Sequence, residues 1–577
     1  MGDVVIQQLR IPEGTVVSLR LVPLQQSLSE SVRGPLMILW GAVGVVLLMG
    51  CVNIASLLLA RIPARAQELA TRIALGGGKS GIIGQMLTES LVLAMAGGLA
   101  GVGMGYLGIY AFKAWVPPDL NIWQVVHLDG RVLFATLGFS VLTSVLFGTL
   151  PAFYASRLNV QAGLTDGGSR GVAGRQIRWP HRTFVIGEIT MGFVLLTGAG
   201  LLVQTFLHLV NVNPGFDASN LWAAKISLQD SRYGDQARVN HLFNESLANI
   251  QALPGVDAAA VSLCVPYERP LNAGFVRLDG PDLDGRSHTS NVCYVTPGYF
   301  QTLRIPLRAG RDFERLDTAD TMPVVIVNET FARQFLPNQQ AVGSHLDLSS
   351  DQRRLVGVVG DVPFRAALNG YEPLDRTPVA YIPAEQARGG FFSLAHTWFS
   401  PAWFVRTSGG EQGLIAGMQR AVEDVDPLLP FSGFSSMGQV QYRSVGFERF
   451  LATLLSLLGG LSLLLEAFGV YGLIANSVVE RTRELGIRMA MGATPAQAVR
   501  SVAKPGFVLE LVGVSLGLLL AQPSARLLRG LGWIAGSSDW TIFLVVATIL
   551  LAATVLASFL PALRIVRLNP AITLRHG

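Results

Sequence analysis

Seven apolar runs, each of roughly 20 residues or more, constrain this chain more than any other feature, because each is long enough to cross a ~30 Å hydrocarbon core as a helix. They fall at about 35–60, 88–112, 131–155, 183–209, 450–477, 506–528 and 541–563. Backbone in lipid must satisfy its own hydrogen bonds, so helices are the expected form. Half of the 577 residues are hydrophobic and only 14% are charged, which fits a membrane protein of several domains. Glycines within the runs (Gly97, Gly98, Gly101, Gly103, Gly105, Gly513 and Gly517) suit close packing of helices.

Arg and Lys positions set the orientation. Arg61, Arg65, Arg72 and Lys79 lie in 61–87, and Arg157, Arg170, Arg175, Arg178 and Arg182 in 156–182. Arg481, Arg483, Arg488, Arg500 and Lys504 lie in 478–505, and Arg564, Arg567 and Arg575 in the tail. Seven spans put these four segments on one side, the cytoplasmic one. The loops 113–130 and 529–540 and the block 210–449 then lie outside, as does the N-terminus. Residues 1–33 lack the basic start and apolar core of a leader. Asp3, Glu13 and Glu30 balance Arg10, Arg20 and Arg33 there, so this segment is neutral and translocatable. The pI near 9.2 is a topology signal rather than a sign of nucleic-acid binding.

Two of the inner segments are related. Arg481-Thr482-Arg483-Glu484-Leu485-Gly486-Ile487-Arg488-Met489-Ala490-Met491-Gly492-Ala493 echoes Arg65 to Gly78, with Arg65 on Arg481, Glu68 on Glu484, Leu69 on Leu485, Arg72 on Arg488 and Gly76 on Gly492. Each copy follows one apolar run and precedes another, at a period of about 400 residues, far longer than a solenoid unit. Glu484 and Arg488 have the favourable i,i+4 order of a helix. Leu485 and Met489 make an apolar stripe beside them, and Gly492 suits a left-handed helix end. Thr494 before Pro495 reads as the N-cap of the next helix. Each copy is expected as a short helix against the inner membrane face, at 62–85 and 478–500.

The outer block reads as a soluble α/β domain. Leu221–Leu228, Ala258–Val265, Val324–Val327, Leu355–Val359 and Phe404–Arg406 read as strands, and Gln236–Leu253, Glu329–Leu336 (capped by Asn328) and Gly413–Val425 as helices. Cys51, Cys264 and Cys293 have no metal spacing. Cys264 and Cys293 are able to pair only outside the cytosol, and free thiols are the favoured expectation.

No catalytic residue or metal set is identified. Gly76-Gly77-Gly78-Lys79-Ser80 imitates a nucleotide-binding loop, but Ile73 stands where that loop needs glycine, and no strand precedes it. There is no GxSxG, HExxH or Cys/His cluster, and the eight histidines are scattered. Three carboxylates fall within spans: Glu188, Glu466 and Glu510. Glu188 and Glu510, about two turns from the inner end, read as interfacial or snorkelling. Glu466, near mid-span, is the candidate intramembrane functional residue. It reads as protein-facing, protonated or hydrogen-bonded rather than as a transport residue, because no second acid is expected beside it.

The stretch from Arg481 to Ala493 closely resembles the cytoplasmic signature of MacB/FtsX-type ABC transporter permeases. Val295-Thr296-Pro297-Gly298-Tyr299-Phe300, Leu303 to Leu307, Gly310-Arg311-Asp312-Phe313 and Leu355 to Asp361 resemble that family's periplasmic core domain. Val470-Tyr471-Gly472 and Arg567-Leu568-Asn569-Pro570 fit as well. More narrowly, the chain is similar to the acidobacterial duplicated orphan permeases, with an N-terminally truncated first unit. The expected fold is an α-helical membrane protein of seven spans with one large periplasmic α/β domain. Its expected parts are a remnant of a first periplasmic domain (1–33), a three-span domain (34–160), a cytoplasmic linker (161–182), a span (183–209), the periplasmic core (210–449) and a second three-span domain (450–577). The sequence departs from the family pattern at Gly77-Gly78.

The resemblance implies a permease subunit of the bacterial inner membrane with no bound cofactor, ATP being hydrolysed by a separate ABC ATPase. Glu68, Arg72 and Gly76 in the first copy and Glu484, Arg488, Gly492 and Ala493 in the second would face that ATPase. Arg481 and Arg483 would meet acidic or phosphate groups, or anchor the inner face. Implied partners are the ATPase, the lipid bilayer and a periplasmic partner or adaptor, with no nucleic acid. An alternative is an FtsX-like relay that activates an envelope partner without transport. A third, an ion-driven secondary transporter, requires converging intramembrane acids.

Overall fold

A computed structural model describes residues 24–74, 79–115, 129–156, 169–278, 288–336, 341–348, 351–365, 374–388, 390–409, 413–530 and 540–566. Four helices lead: α1 (Leu24–Ala74), α2 (Lys79–Trp115), α3 (Gly130–Ser156) and α4 (Ser169–Asn211). Residues 24–33, expected as part of an outer remnant, begin α1, and the end of the expected linker, from Ser169, is helical and continuous with the following span. Among the described residues six helices are long and apolar enough to span a membrane: Leu36–Leu59, Ile83–Ala111, His181–Asn211, Gly446–Val479, Ala496–Leu528 and Trp540–Phe559. The run expected at 131–155 coincides with α3, whose described apolar stretch is shorter, Gly130–Thr143. The helices α2 and α3 pack together where glycine lets them approach, Gly98 facing Ser140 and Gly148 facing Ser90.

The chain divides into two compact units, the first built mainly from 204–451 and the second from 36–203, 452–528 and 537–577. In the first unit, β1 (Leu221–Lys225) precedes α5 (Gln236–Gln251), β2 (Val256–Ser262), β3 (Leu271–Arg277), β4 (His288–Val295) and α6 (Tyr299–Leu303). Next come β5 (Leu307–Gly310), β6 (Val324–Asn328), α7 (Glu329–Phe335), β7 (His345–Leu348) and β8 (Asp351–Val359). The remainder is β9 (Phe364–Arg365), β10 (Leu374–Asp375), β11 (Val379–Pro383), α8 (Gly390–Trp398), β12 (Ala402–Thr407), α9 (Leu414–Glu423), β13 (Ser432–Ser436) and α10 (Met437–Ser444).

The sheet has two parts. Strands β11, β6, β8, β7, β3 and β4 pair in that order, and β11 also pairs with β4, so the six close on themselves. From β4 the order runs on through β2, β12, β1 and β13, an antiparallel layer joined to the ring by a single register pair, Ser262 with Val295. Helix α5 covers this layer with Val239, Leu242, Phe243, Leu247 and Ile250, all buried, at the spacing of one helix face. Trp403, fully buried on β12, donates its indole N–H to Ser246 at 2.9 Å, as a buried indole must. Asn328 ends β6 and caps α7, accepting from the N–H of Phe331 at 3.0 Å and of Val379 at 2.9 Å, so one side chain serves helix and neighbouring strand together.

Cys264 and Cys293 are joined in a disulfide with Cα atoms 5.6 Å apart, which corrects the expectation of free thiols. The pairing of β2 beside β4 brings them together; their separation of 29 in sequence carries no such signal. Cys51 is the free, buried cysteine. A disulfide belongs to an oxidising compartment, in keeping with an outer position for this unit.

The second unit closes with α11 (Gly446–Ala490), α12 (Pro495–Gly530) and α13 (Trp540–Val566). Here the structure corrects the idea of a separate short helix at 478–500. The helix α11 runs unbroken from the apolar span to Ala490, because nothing between Gly472 and Gly486 removes a helical hydrogen bond or loosens the backbone.

Candidate functional site

The inner end of α11 stops in an ordered way. Gly492 adopts φ +99°, the N–H of Ala493 donates to Arg488 O at 3.0 Å, and the N–H of Gly492 donates to Met489 O at 3.1 Å. This is the paired-bond helix end that a left-handed glycine permits. Thr494 then starts α12 with a reciprocal cap. Its Oγ1 accepts from the Gln497 N–H at 3.3 Å, and Gln497 Oε1 accepts from the Thr494 N–H at 3.0 Å.

One side of this helix end is held and the other is free. Leu485, 1% exposed, belongs to a buried apolar cluster that runs through Val185, Ile189, Val470, Ile474, Val478, Ala498 and Val502, with Met489 packed against it. Opposite, Glu484 and Arg488 form the expected i,i+4 pair at 2.5 Å, with both side chains about half exposed. Such a pair contributes only a few tenths of a kcal/mol, so its value is as a patterned surface. Ile487 at 42% and Met491 at 83% are exposed alongside it. Glu484, Ile487, Arg488 and Met491 thus follow i, i+3, i+4, i+7 spacing along one side. The pair was visible in the sequence. The two apolar residues were missed, although the same spacing points to them.

In the first copy, Glu68 and Arg72 lie on the helical backbone of α1, which ends at Ala74; their side chains and Gly76 lie outside the described residues. Arg481 and Arg483 lie on the α11 backbone, with their side chains likewise outside the described residues. The Arg567–Pro570 stretch is also outside them.

The intramembrane acids depart most from expectation. Glu188, Glu466 and Glu510 are 1%, 1% and 0% exposed, so the interfacial reading of Glu188 and Glu510 is overturned. The cause is the close crossing of α4 and α12. Gly513 and Gly517 lack the side chains that Ile189 and Phe193 would strike, and Thr190 Oγ1 lies 3.2 Å from Gly513 O. Nor is Glu466 alone: its carboxyl lies against Gly192, one turn from Glu188, and the Glu188 carboxyl lies against Gly469, one turn from Glu466. Sequence spacing placed each acid at a depth in the membrane but not on a facing side.

Among the described residues no group of three or more His, Cys, Asp or Glu is arranged to hold a metal ion.

A multi-pass helical membrane protein carrying a periplasmic-type α/β domain is the class that these features define. The model of the FtsX-like permease C-terminal family matches twice, at residues 40–160 and 456–570, and that of the MacB-like periplasmic core domain matches 186–415. The chain belongs to the MacB/FtsX-type ABC transporter permease family. An uncharacterized ABC transporter permease of Bacillus subtilis, YknZ, is 40% identical over 20% of this chain and 28% of its own length. The macrolide export ATP-binding/permease protein MacB of Escherichia coli is 22% identical over 58% of this chain and 50% of its own. The chain therefore spans half or less of these two relatives. The periplasmic region of MacB from Actinobacillus actinomycetemcomitans aligns at 13% identity and a TM-score of 0.28 over 41% of this chain and 96% of that one, too low a score to bear on the fold.

Proposed function

We propose that the protein is the permease subunit of an ABC transporter in the bacterial inner membrane, with seven spans and its α/β domain in the periplasm. It holds no nucleotide itself. A separate ABC ATPase docks on the inner end of α11, and its closure on ATP moves the helix and with it the outer domain. The observation that carries this reading is the stripe Glu484–Ile487–Arg488–Met491, exposed on a helix whose other side is locked into the core. An apolar strip crossed by an ion pair fits a partner groove, with charge setting register and apolar area supplying affinity. Two matches to the FtsX-like model in one chain support the duplicated architecture, and on this reading the first copy, through Glu68, Arg72 and Gly76, has the same role.

Affinity purification in mild detergent with mass spectrometry tests the assignment, beside a Glu484→Lys/Arg488→Glu variant. An ABC ATPase that accompanies the native chain and is lost from the variant is the expected result. No ATPase with either would withdraw the docking assignment.

A further inference from the structure

Five spans bring their polar side chains to one place. Glu188 comes from α4, Glu466 from α11, Glu510 from α12, Thr554 from α13 and Asn53 from α1, and all five are buried. Asn53 Nδ2 donates to Leu465 O at 2.7 Å, fixing α1 against α11 one residue before Glu466. Thr554 Oγ1 donates to Glu510 Oε2 at 2.6 Å.

Glycines make room for the acids. A side chain on Gly469 would run into Glu188 Oε2, with Asn53 Oδ1 3.0 Å away, and one on Gly192 would meet Glu466 Oε2 at 2.9 Å. What the acids lack is donors. Neither oxygen of Glu466 accepts from any N–H or O–H group, and Glu188 Oε1 and Glu510 Oε1 are without donors too. No described Arg, Lys or His forms an ion pair with any of the three. The other buried titratable side chains on these five helices, among the described residues, are His181 on α4 and Cys51 on α1. The His181 Nε2 is without a hydrogen-bond partner, and Cys51 is a free thiol.

Ionised carboxylates sealed together at membrane depth, with no counter-ion, are prohibitively costly. A protonated carboxyl is also a donor, which an ionised one is not. We propose that Glu188, Glu466 and Glu510 form a proton-binding site at this five-helix junction. The bound protons supply the missing donors and hold the helices together. Separating the helices admits water, ionises the acids and releases protons to solvent, so occupancy of the site reports and biases the packing of the membrane helices. Higher pH therefore favours the loosened junction. The ligand is the proton rather than a metal, because the donor set is not arranged to hold one.

Infrared spectroscopy of the full chain in lipid vesicles tests this, since protonated and ionised carboxyls absorb separately. A protonated-carboxyl band is expected at neutral pH that weakens in Glu466→Gln and is lost as pH rises. Over the same range the thermal midpoint of the native chain should fall. In Glu466→Gln, which keeps the shape and brings its own N–H donors, the midpoint should stay nearly flat. Should that variant fail to fold, Glu188→Gln and Glu510→Gln read the same band. No such band at neutral pH, or a band untouched by all three substitutions, would overturn the site. Loss of the band on adding sodium at constant pH would assign it to an alkali cation and overturn the proton. The measurement needs no ATPase, so its failure leaves the docking surface on α11 standing.

Discussion

Single residues decide how the outer unit responds to redox state and pH. Reducing the Cys264–Cys293 bond reopens a loop of about 30 residues, which on the chain-entropy scale destabilises by about 3–4 kcal/mol. Cys293→Ser should thus lower the unfolding free energy of the outer unit by that amount, read from denaturant titration. Alkylation of the native, non-reduced chain should leave both cysteines unmodified, and modification of either without reductant would show that they are not paired. His396 makes the second case. It is buried, its Nε2 lies 2.8 Å from Tyr294 Oη and its Nδ1 has no partner, and burial pushes the imidazole down to about 4. The unfolded chain takes up this proton near pH 6.5 while the folded chain refuses it until about 4. Stability is complete above 6.5 and falls as pH drops to 4, by about 3 kcal/mol in all. Hydrogen-exchange protection of β4 and β12 in the full chain, taken relative to the intrinsic rate at each pH, should fall over that window, and His396→Phe should flatten the response. An unchanged profile in the variant would assign the sensitivity elsewhere. Neither residue announces itself in the sequence, because each depends on which strands and helices become neighbours.

Elements with a local signature were the legible ones. Asn328 before Glu329, Thr494 before Pro495 and Gly492 after a helical run each mark a boundary that the structure keeps, since caps are made by residues close in sequence. The alternation from Leu221 and the apolar run Val324–Val327 likewise mark β1 and β6. The closing of β11 onto both β6 and β4 was not legible, nor was the meeting of three acids, for both are set by long-range register. The joint between span and docking segment was misjudged for another reason. A charge-rich stretch after an apolar run looks like a new helix, yet helix-compatible residues from Asn476 to Glu484 simply continue the old one. On the proposed function this continuity would make α11 a lever. Val479→Pro, at an exposed position, would cost roughly 3 kcal/mol of helix stability and kink it. The expected outcome is an ATPase that still co-purifies but is no longer stimulated by the permease; full stimulation would mean that the stroke passes by another route. Gly492→Ala, forced into a left-handed backbone, should cost about 1–2 kcal/mol and weaken ATPase capture by disordering the end of the helix that presents Met491.

At the scale of the whole molecule, the proposed docking raises the question of how many ATPases one chain would engage. The FtsX-like model matches on both sides of the outer domain in sequence, and each match contains one copy of the Glu–Arg helix segment. If both copies dock, a single chain does the work of a symmetric pair and requires two ATPase subunits. The two surfaces need not be equal. The second ends in the ordered Gly492 cap, whereas the first has Gly77 and Gly78 where the second has Ala493 and Thr494, the residue that caps the following helix. Weaker capture at the first copy follows. Native mass measurement of the purified complex should show two ATPase subunits per chain, falling to one in Glu484→Lys/Arg488→Glu and to one in Glu68→Lys/Arg72→Glu. Dilution should strip the subunit bound through the first copy before the other. One subunit on the native chain, lost with the second-copy variant and indifferent to the first, would show that Glu68 and Arg72 are relics of duplication and that the chain needs a second permease to complete its ATPase pair.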